Sequence, residues 1–383
     1  MLTRSDLRKG SAAYLNSLSL DELFRSFKIT RIARLDGLDT IGVPVYSAIR
    51  PAGKVISVSA GKSADRTLAR AGAVAEGIEY HVFENPSGPF KVSSCQDLGF
   101  ALRKCSRWNI NTPIALESAI HLKTGRAIQF PSQILWLVNR GDEQEHYFQK
   151  SSNGQAIGLC LEDALLQGLY ECIERDQVTL RRISLKELDI YPPRVRIPQS
   201  CDQLLWRCRK SSLSLFLFLC NVDISVPVYW AILCDPEWQA FAGWGCSLDS
   251  SEAAGRAILE AMQSRVVYIA GARDDIQRRY IDRSEQRALT ERLSGLPEAN
   301  TDYDELYAGR RTLSAEAELS RVLFRLGSWS DRIYYKHIQI NEHLCAVKVQ
   351  VLGFEQPILP HRYGWQAVRW HKLKEQYEQK RKI

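Results

Sequence analysis

No Cys-x-x-Cys pair occurs in the chain, although it holds ten cysteines. Cys95, Cys105, Cys160, Cys172, Cys201, Cys208, Cys220, Cys234, Cys246 and Cys345 are scattered, and the closest two, Cys201 and Cys208, have no histidine nearby. The spacing gives neither a zinc nor a dithiol motif. Histidine offers no metal spacing either at His121, His146, His337, His343, His361 or His371, and His81 reads as a helix residue bonded to a neighbour. A Gly-x-Ser-x-Gly element is absent, which argues against a serine hydrolase. Gly61-Lys62-Ser63 resembles the end of a phosphate-binding loop, but the loop's first glycine is missing. Long apolar runs are lacking as well. The one at 213–220 is broken by Asn221-Val222-Asp223 and by Pro227, too short for a bilayer and suited to two neighbouring strands. No apolar segment follows Met1-Leu2-Thr3-Arg4-Ser5-Asp6, so the expectation is a cytoplasmic chain with free thiols, most of them small buried hydrophobes.

What is present is ordinary for a folded protein. The 383 residues are 45% hydrophobic and 25% charged, which excludes a disordered or collagen-like chain. A net charge of +7, from 51 basic and 44 acidic residues, is a solvated surface rather than a nucleic-acid footprint. Residues 1–28 read as a helical lead-in. Strands are predicted near 30–35, 42–46 and 55–59, with Gly61-Lys62-Ser63 as a turn before a helix over 64–83. A loop-rich stretch at 85–140 carries strand-like pieces. Further helices are expected at 161–180 and from 249 to 270, a hairpin at 213–234, a strand at 239–243, a polar stretch over 273–305 followed by a helix, and a strand at 345–351. With no internal repeat or linker, these elements predict one intertwined α+β unit. Its tail at 371–383 is charged, and Tyr363, Trp365, Arg369 and Trp370 pack it or meet a peptide.

The chemistry concentrates on the helices. Asp163, Gln167, Glu171 and Glu174 fall at i, i+4, i+8 and i+11, one face of a helix whose other positions are mostly apolar. Acids among apolar residues are costly unless paired or bound to a metal. Arg175 stands at i+4 from Glu171, so a structural salt bridge is one reading. The helix at 64–83 adds Glu76 and Glu79, and the helix from 249 adds Arg256, Glu260 and Gln263, with Arg265 beside them. Acidic and amide groups repeated on three apolar helices suggest a hard divalent cation, and Mg²⁺ with a nucleotide is its usual cargo.

Three stretches resemble the YcaO family: 61–62 through Glu76-Gly77-Ile78-Glu79; Ser152-Asn153-Gly154 through Glu171-Cys172-Ile173-Glu174-Arg175-Asp176; and Glu260-Ala261-Met262-Gln263-Ser264-Arg265 through Ala270-Gly271-Ala272-Arg273-Asp274-Asp275. The similarity runs in register from Thr30 to Pro357. It implies a single YcaO-like domain over 29–360, mixed sheets and helices lining a nucleotide cleft, between the lead-in and a tail at 361–383. Proteins of this family bind ATP with Mg²⁺ and phosphorylate the oxygen of a backbone amide in a ribosomally made peptide. A Cys, Ser or Thr side chain, sulfide or an amine then yields an azoline, a thioamide or an amidine. By this resemblance Glu76, Glu79, Glu171 and Glu174 are Mg²⁺ ligands, directly or through water. Arg175 meets phosphate, and Lys62, Asp163, Glu260 and Gln263 belong to the nucleotide site.

The chain also departs from the family pattern. Where the first motif usually reads Ser-x-x-x-Glu-x-x-Glu-Arg, this sequence has Gly72, Glu76, Glu79 and Tyr80. Where Gly-Asn-Thr-x-Glu-Glu is typical, it has Gly158-Leu159-Cys160-Leu161-Glu162-Asp163. Losing a charge-assisted hydrogen bond costs about 1.5–3 kcal/mol, and about 1.4 kcal/mol is tenfold in binding. Two readings therefore stand: an ATP- and Mg²⁺-dependent peptide-modifying enzyme, and a scaffold that holds a precursor peptide or an active partner without nucleotide. The chain shows no leader-recognition domain and no Pro-x-Pro-x-Pro ending. It thus resembles the stand-alone type, working with a TfuA-like or peptide-docking partner or as a homo-oligomer, with slight favour for thioamide chemistry and with neither nucleic acid nor membrane.

Overall fold

The computed structural model describes residues 3–94, 109, 111–141, 147–188, 191–235, 239–271, 283–296, 299, 313–356 and 373–375. The chain divides into two compact units, each built from two stretches: Met1–Ile78 with Pro192–Ser314, and Glu79–Tyr191 with Ala315–Ile383. Tyr363, Trp365, Arg369 and Trp370, the 272–275 end of the third motif, Cys95 and Cys105 lie outside the described residues. Among the described residues, no helix is long and apolar enough to cross a membrane.

In the first unit the lead-in forms α1 (Arg4–Ser17) and α2 (Leu20–Phe27). Each begins at a capping box, Thr3 with Asp6 and Ser19 with Glu22, in which side chains satisfy the helix's first amide groups. β1 (Arg31–Arg34), β2 (Val45–Ile49) and β3 (Val58–Lys62) follow as an antiparallel sheet. Lys62 ends β3, paired with Val45, rather than lying in the expected turn. The reason is Gly61. Its missing side chain lets β3 lie against the helix α3 (Arg66–Glu84), where a Cβ would come within 2.2 Å of Ala69 O and Ala73 N. The turn comes next, and Asp65 starts α3 by accepting from the amides of Thr67 and Leu68 at 2.7 and 3.0 Å.

The second stretch of this unit supplies α6 (Asp202–Lys210), then β8 (Ser214–Leu219), β9 (Val228–Cys234) and β10 (Ala240–Cys246) in the order β10-β9-β8. The long helix α7 (Ser250–Ala270) covers this sheet with a row of small buried residues, Ala253, Ala257 and Ala261. That packing forms the main core of the unit. Within the stretch read as merely polar, Arg283–Ser294 forms a further helix, α8, whose Leu293 is buried against Phe216, Phe218 and Ile232. Leu289 and Leu296, partly buried, pack against the same cluster.

The second unit is a six-stranded antiparallel sheet of β4 (Lys91–Ser94), β5 (Pro113–His121), β6 (Ala127–Pro131), β7 (Gln155–Gly158), β11 (Ile333–Gln339) and β12 (Cys345–Val351). Its order is β4-β5-β11-β12-β7, with β6 on the other side of β5. A single helical turn, α4 (Ser132–Leu135), follows β6. The 28-residue helix α5 (Leu161–Leu188) packs on β12 and β7, and α9 (Ala315–Leu326) packs on α5. β11 is not evident from the sequence pattern, because Lys336 and His337 break its apolar run; pairing with β5 and β12 holds it.

Candidate functional site

The polar residues singled out on α3, α5 and α7 share one trait. Glu76 and Glu79, then Gln167, Glu171, Glu174 and Arg175, then Arg256, Glu260 and Gln263 are all half-buried, while Val74, Ile78, Leu166, Ile173, Ile258 and Met262 are fully buried. These helices thus carry a polar stripe at the margin of an apolar face, as the spacing predicted. Asp163 differs: it is 4% exposed and lies beside Gly158, two helical turns before Glu171.

In the first unit, two expected residues meet. Lys62 Nζ pairs with Glu260 Oε2 at 3.1 Å across 198 residues of chain. Glu76 accepts the backbone N–H of Ala60 at 2.6 Å, which ties α3 to β3. Arg265 turns to Asp235 at 2.8 Å and Asp39 at 3.1 Å, a largely buried structural pairing. Sequence reasoning missed one charge cluster of this unit. Glu252, in the first turn of α7, is flanked by Arg8, by Arg4 at 3.7 Å and by Arg256 at 4.0 Å. Burial alone would raise the Glu252 carboxyl; Arg8, then Arg4 and Arg256, outweigh it and hold the group down to about 2. Beside this cluster lies a cavity of about 310 Å³, lined in part by Ser251, Glu252, Gly255 and Arg207. The available signal was the Thr3-Asp6 capping box, which starts a helix that puts Arg4 and Arg8 at i and i+4.

In the second unit, Glu171 Oε2 accepts the N–H of Gly154 at 3.1 Å, and Oε1 accepts from Arg175 Nη2 at 3.0 Å. The intrahelical salt bridge that the spacing allowed is therefore formed. Lys348, on β12, was also missed, hidden inside an apolar strand. Burial pushes its ammonium down to about 8, against the attraction of Glu171, Cys172 and Glu79. Its Nζ donates to the carbonyls of Asn153, at 2.7 Å, and of Ser151. Asn153 is 2% exposed, and its Oδ1 has no hydrogen-bond partner among the described residues.

Among the described residues no three His, Cys, Asp or Glu side chains stand ready as a cage for a metal ion. Mg²⁺ rarely takes such a cage; it uses one or two carboxylates, waters and substrate phosphates. The donor set fits that habit: the carboxylates offer oxygen donors on half-buried stripes, and Asn153 Oδ1, unsatisfied among the described residues, adds a neutral oxygen beside Gly154.

Comparison with known proteins agrees. A family model described as YcaO cyclodehydratase, ATP- and Mg²⁺-binding, matches residues 60–355, the range that holds every site residue expected from the sequence. The chain belongs to the YcaO family. It is 30% identical over 299 residues, 72% of its length and 71% of the relative's, to an uncharacterised protein in the tfuA 3′ region of Rhizobium leguminosarum bv. trifolii. An uncharacterised protein of Methanothermobacter thermautotrophicus is 28% identical over 361 residues, 88% of this chain and 92% of that one. The structure of YcaO from Methanopyrus kandleri bound with AMPPCP and Mg²⁺ superposes with a TM-score of 0.74 at 20% identity, covering 94% of this chain and 95% of that one. A heterocyclase in complex with substrate and cofactor gives 0.71 at 18% identity, covering 88% of this chain and 52% of that one. The α+β fold is shared, and ATP with Mg²⁺ are the family's cofactors.

Proposed function

We propose that the chain is an enzyme that uses Mg²⁺-ATP to activate a backbone amide of a ribosomally made peptide. The amide oxygen takes the γ-phosphoryl group, releasing ADP. An incoming Cys, Ser or Thr side chain, or sulfide, forms its bond to the amide carbon, and phosphate leaves with that oxygen as an azoline or thioamide is made. The carrying observation is the half-buried polar stripe on three otherwise apolar helices, which a structural role alone does not require three times over. In this reading Glu76, Glu79, Glu171 and Glu174 hold Mg²⁺, which would neutralise charge developing on the phosphoryl oxygens. Lys62, Asp163, Arg175, Glu260 and Gln263 attend the nucleotide. The relative from a tfuA region supports a TfuA-like partner, and the Escherichia coli microcin synthetase complex with pro-MccB17 bound, which shares the fold with a TM-score of 0.60, supports a precursor as substrate.

One observation favours the second reading, a scaffold without nucleotide. Glu171 and Glu76 already have partners within the chain, Arg175 with the Gly154 amide and the Ala60 amide, as structural carboxylates do. Titration calorimetry of Mg²⁺-ATP into the protein decides between them. The enzyme reading expects micromolar binding that Glu171→Gln abolishes; no heat, with a TfuA-like partner also present, leaves the scaffold.

A further inference from the structure

Lys348 occupies the middle of β12, a strand whose seven residues are all buried, and it is itself wholly inaccessible. A buried ammonium is costly unless its charge and its donors are met. Among the described residues no carboxylate comes within ion-pair distance of it. Its head is held by the carbonyls of Ser151 and Asn153, while Glu171 and Glu79 act on it through space.

The Asn153 carbonyl belongs to the same peptide group as the Gly154 N–H, and that N–H is the donor to Glu171 Oε2. One peptide plane thus has a buried cation on its oxygen and a carboxylate on its hydrogen. The plane has reason to need holding. Gly154 lies at φ +78°, where a Cβ would meet Val349 O at 2.2 Å, so only glycine fits, and glycine resists rotation of the adjoining peptide least. Turned over, the plane would present its oxygen to Glu171 and withdraw the donor. The Gly154 carbonyl, which accepts from Val349 N at 2.7 Å, anchors the next peptide group but not this one.

We propose that Lys348 is a positioning residue for the cation site: by gripping the Asn153 carbonyl it keeps the Gly154 N–H on Glu171 and so sets how that carboxylate faces a divalent cation. This rests on the reading of Glu171 as a Mg²⁺ ligand. The position is invisible to a search for acids, because Lys348 touches neither carboxylate and works through a backbone amide.

The test measures ATP binding in the full-length protein at stepped Mg²⁺ concentrations, and separately in EDTA. Lys348→Met is expected to raise the Mg²⁺ concentration needed for half-saturation at least tenfold while metal-free ATP binding stays within twofold. Lys348→Arg should bring the Mg²⁺ requirement back to within about threefold of wild type. A merely structural lysine would weaken both measurements together. If Lys348→Met leaves the Mg²⁺ requirement unchanged while Glu171→Gln abolishes it, the proposal is overturned and the ligand reading stands. If Glu171→Gln changes nothing, the ligand reading itself fails. Should Lys348→Met not fold, Lys348→Gln, which keeps a donor without the charge, replaces it. Should neither fold, the Gly154 amide resonance of ¹⁵N-glycine-labelled wild type decides: it shifts when Mg²⁺ and AMPPCP are added, and indifference overturns the proposal.

Discussion

The candidate-site charges of the two units are met differently, although elsewhere in the second unit buried Glu117 pairs directly with Arg140 and Lys336. In the first, charges meet side chain to side chain: Arg4, Arg8 and Arg256 surround Glu252, and Lys62 meets Glu260. In the second, backbone groups intervene: Lys348 is held by two carbonyls, and Glu171 takes an amide on one oxygen while Arg175 takes the other. Side-chain clusters tolerate small displacements, since a long arginine can follow its partner. A charge met by backbone groups needs the backbone held, and that is why a glycine at φ +78° and a buried lysine come together in the second unit.

The comparison breaks most sharply at the glycines. Gly154→Ala forces a Cβ to 2.2 Å from Val349 O in the left-handed region and should cost about 3 kcal/mol or more, near the extreme of single substitutions. Gly72→Ala is its counterpart. A Cβ there meets only Gly61 Cα at 3.5 Å, so the change should be neutral or stabilise by up to about 1 kcal/mol, because alanine suits a helix interior better. Thermal unfolding of the pair reads both. Equal effects would show that close packing does not set these positions.

The charges themselves differ in the pH window where each acts. The Glu252 carboxyl sits near 2 when folded, below its ordinary 4.5, so its stabilisation is complete above about 4.5 and lost as pH falls toward 2. The whole of it amounts to about 3 kcal/mol, and Glu252→Gln should flatten the acid limb of stability against pH. Lys348 is depressed from 10.5 to about 8, so its charged form costs stability at neutral pH, and stability rises between about pH 8 and 10.5 as the folded ammonium loses its proton first. Lys348→Met should remove that alkaline rise and leave the acid limb alone. Denaturant unfolding from about pH 2.5 to 10.5 checks the pair, and a single variant that alters both limbs would refute the separation.

The smallest effect belongs to Lys62→Met. The ion pair with Glu260 is about a quarter exposed on each side, so it is worth about 0.5–1 kcal/mol of stability. On the proposed function its loss should tell instead in ATP affinity, weakening it several-fold with little change in the unfolding midpoint. A fall in stability without a fall in affinity would make the pair purely structural.

Most helices and the strand at 345–351 were legible in the sequence, because apolar periodicity and capping residues are local signals. Glu76, Glu79, Glu171, Glu174, Glu260 and Gln263 were legible for the same reason: helical spacing put them on half-buried stripes. Their partners were not. Nothing local says that Lys62 meets Glu260 across 198 residues, that Arg4 and Arg8 reach Glu252, or that a lysine inside a seven-residue buried strand faces the carbonyl next to the Gly154 amide. α8 and β11 escaped because each is held by partners rather than by its own pattern. By itself, then, the sequence determined most of the helices, their polar stripes and, through motif resemblance, the family. Tertiary structure alone decided which charges pair directly and which act through a peptide group, because that depends on how distant strands bring carbonyls, amides and buried cations to the same few ångströms.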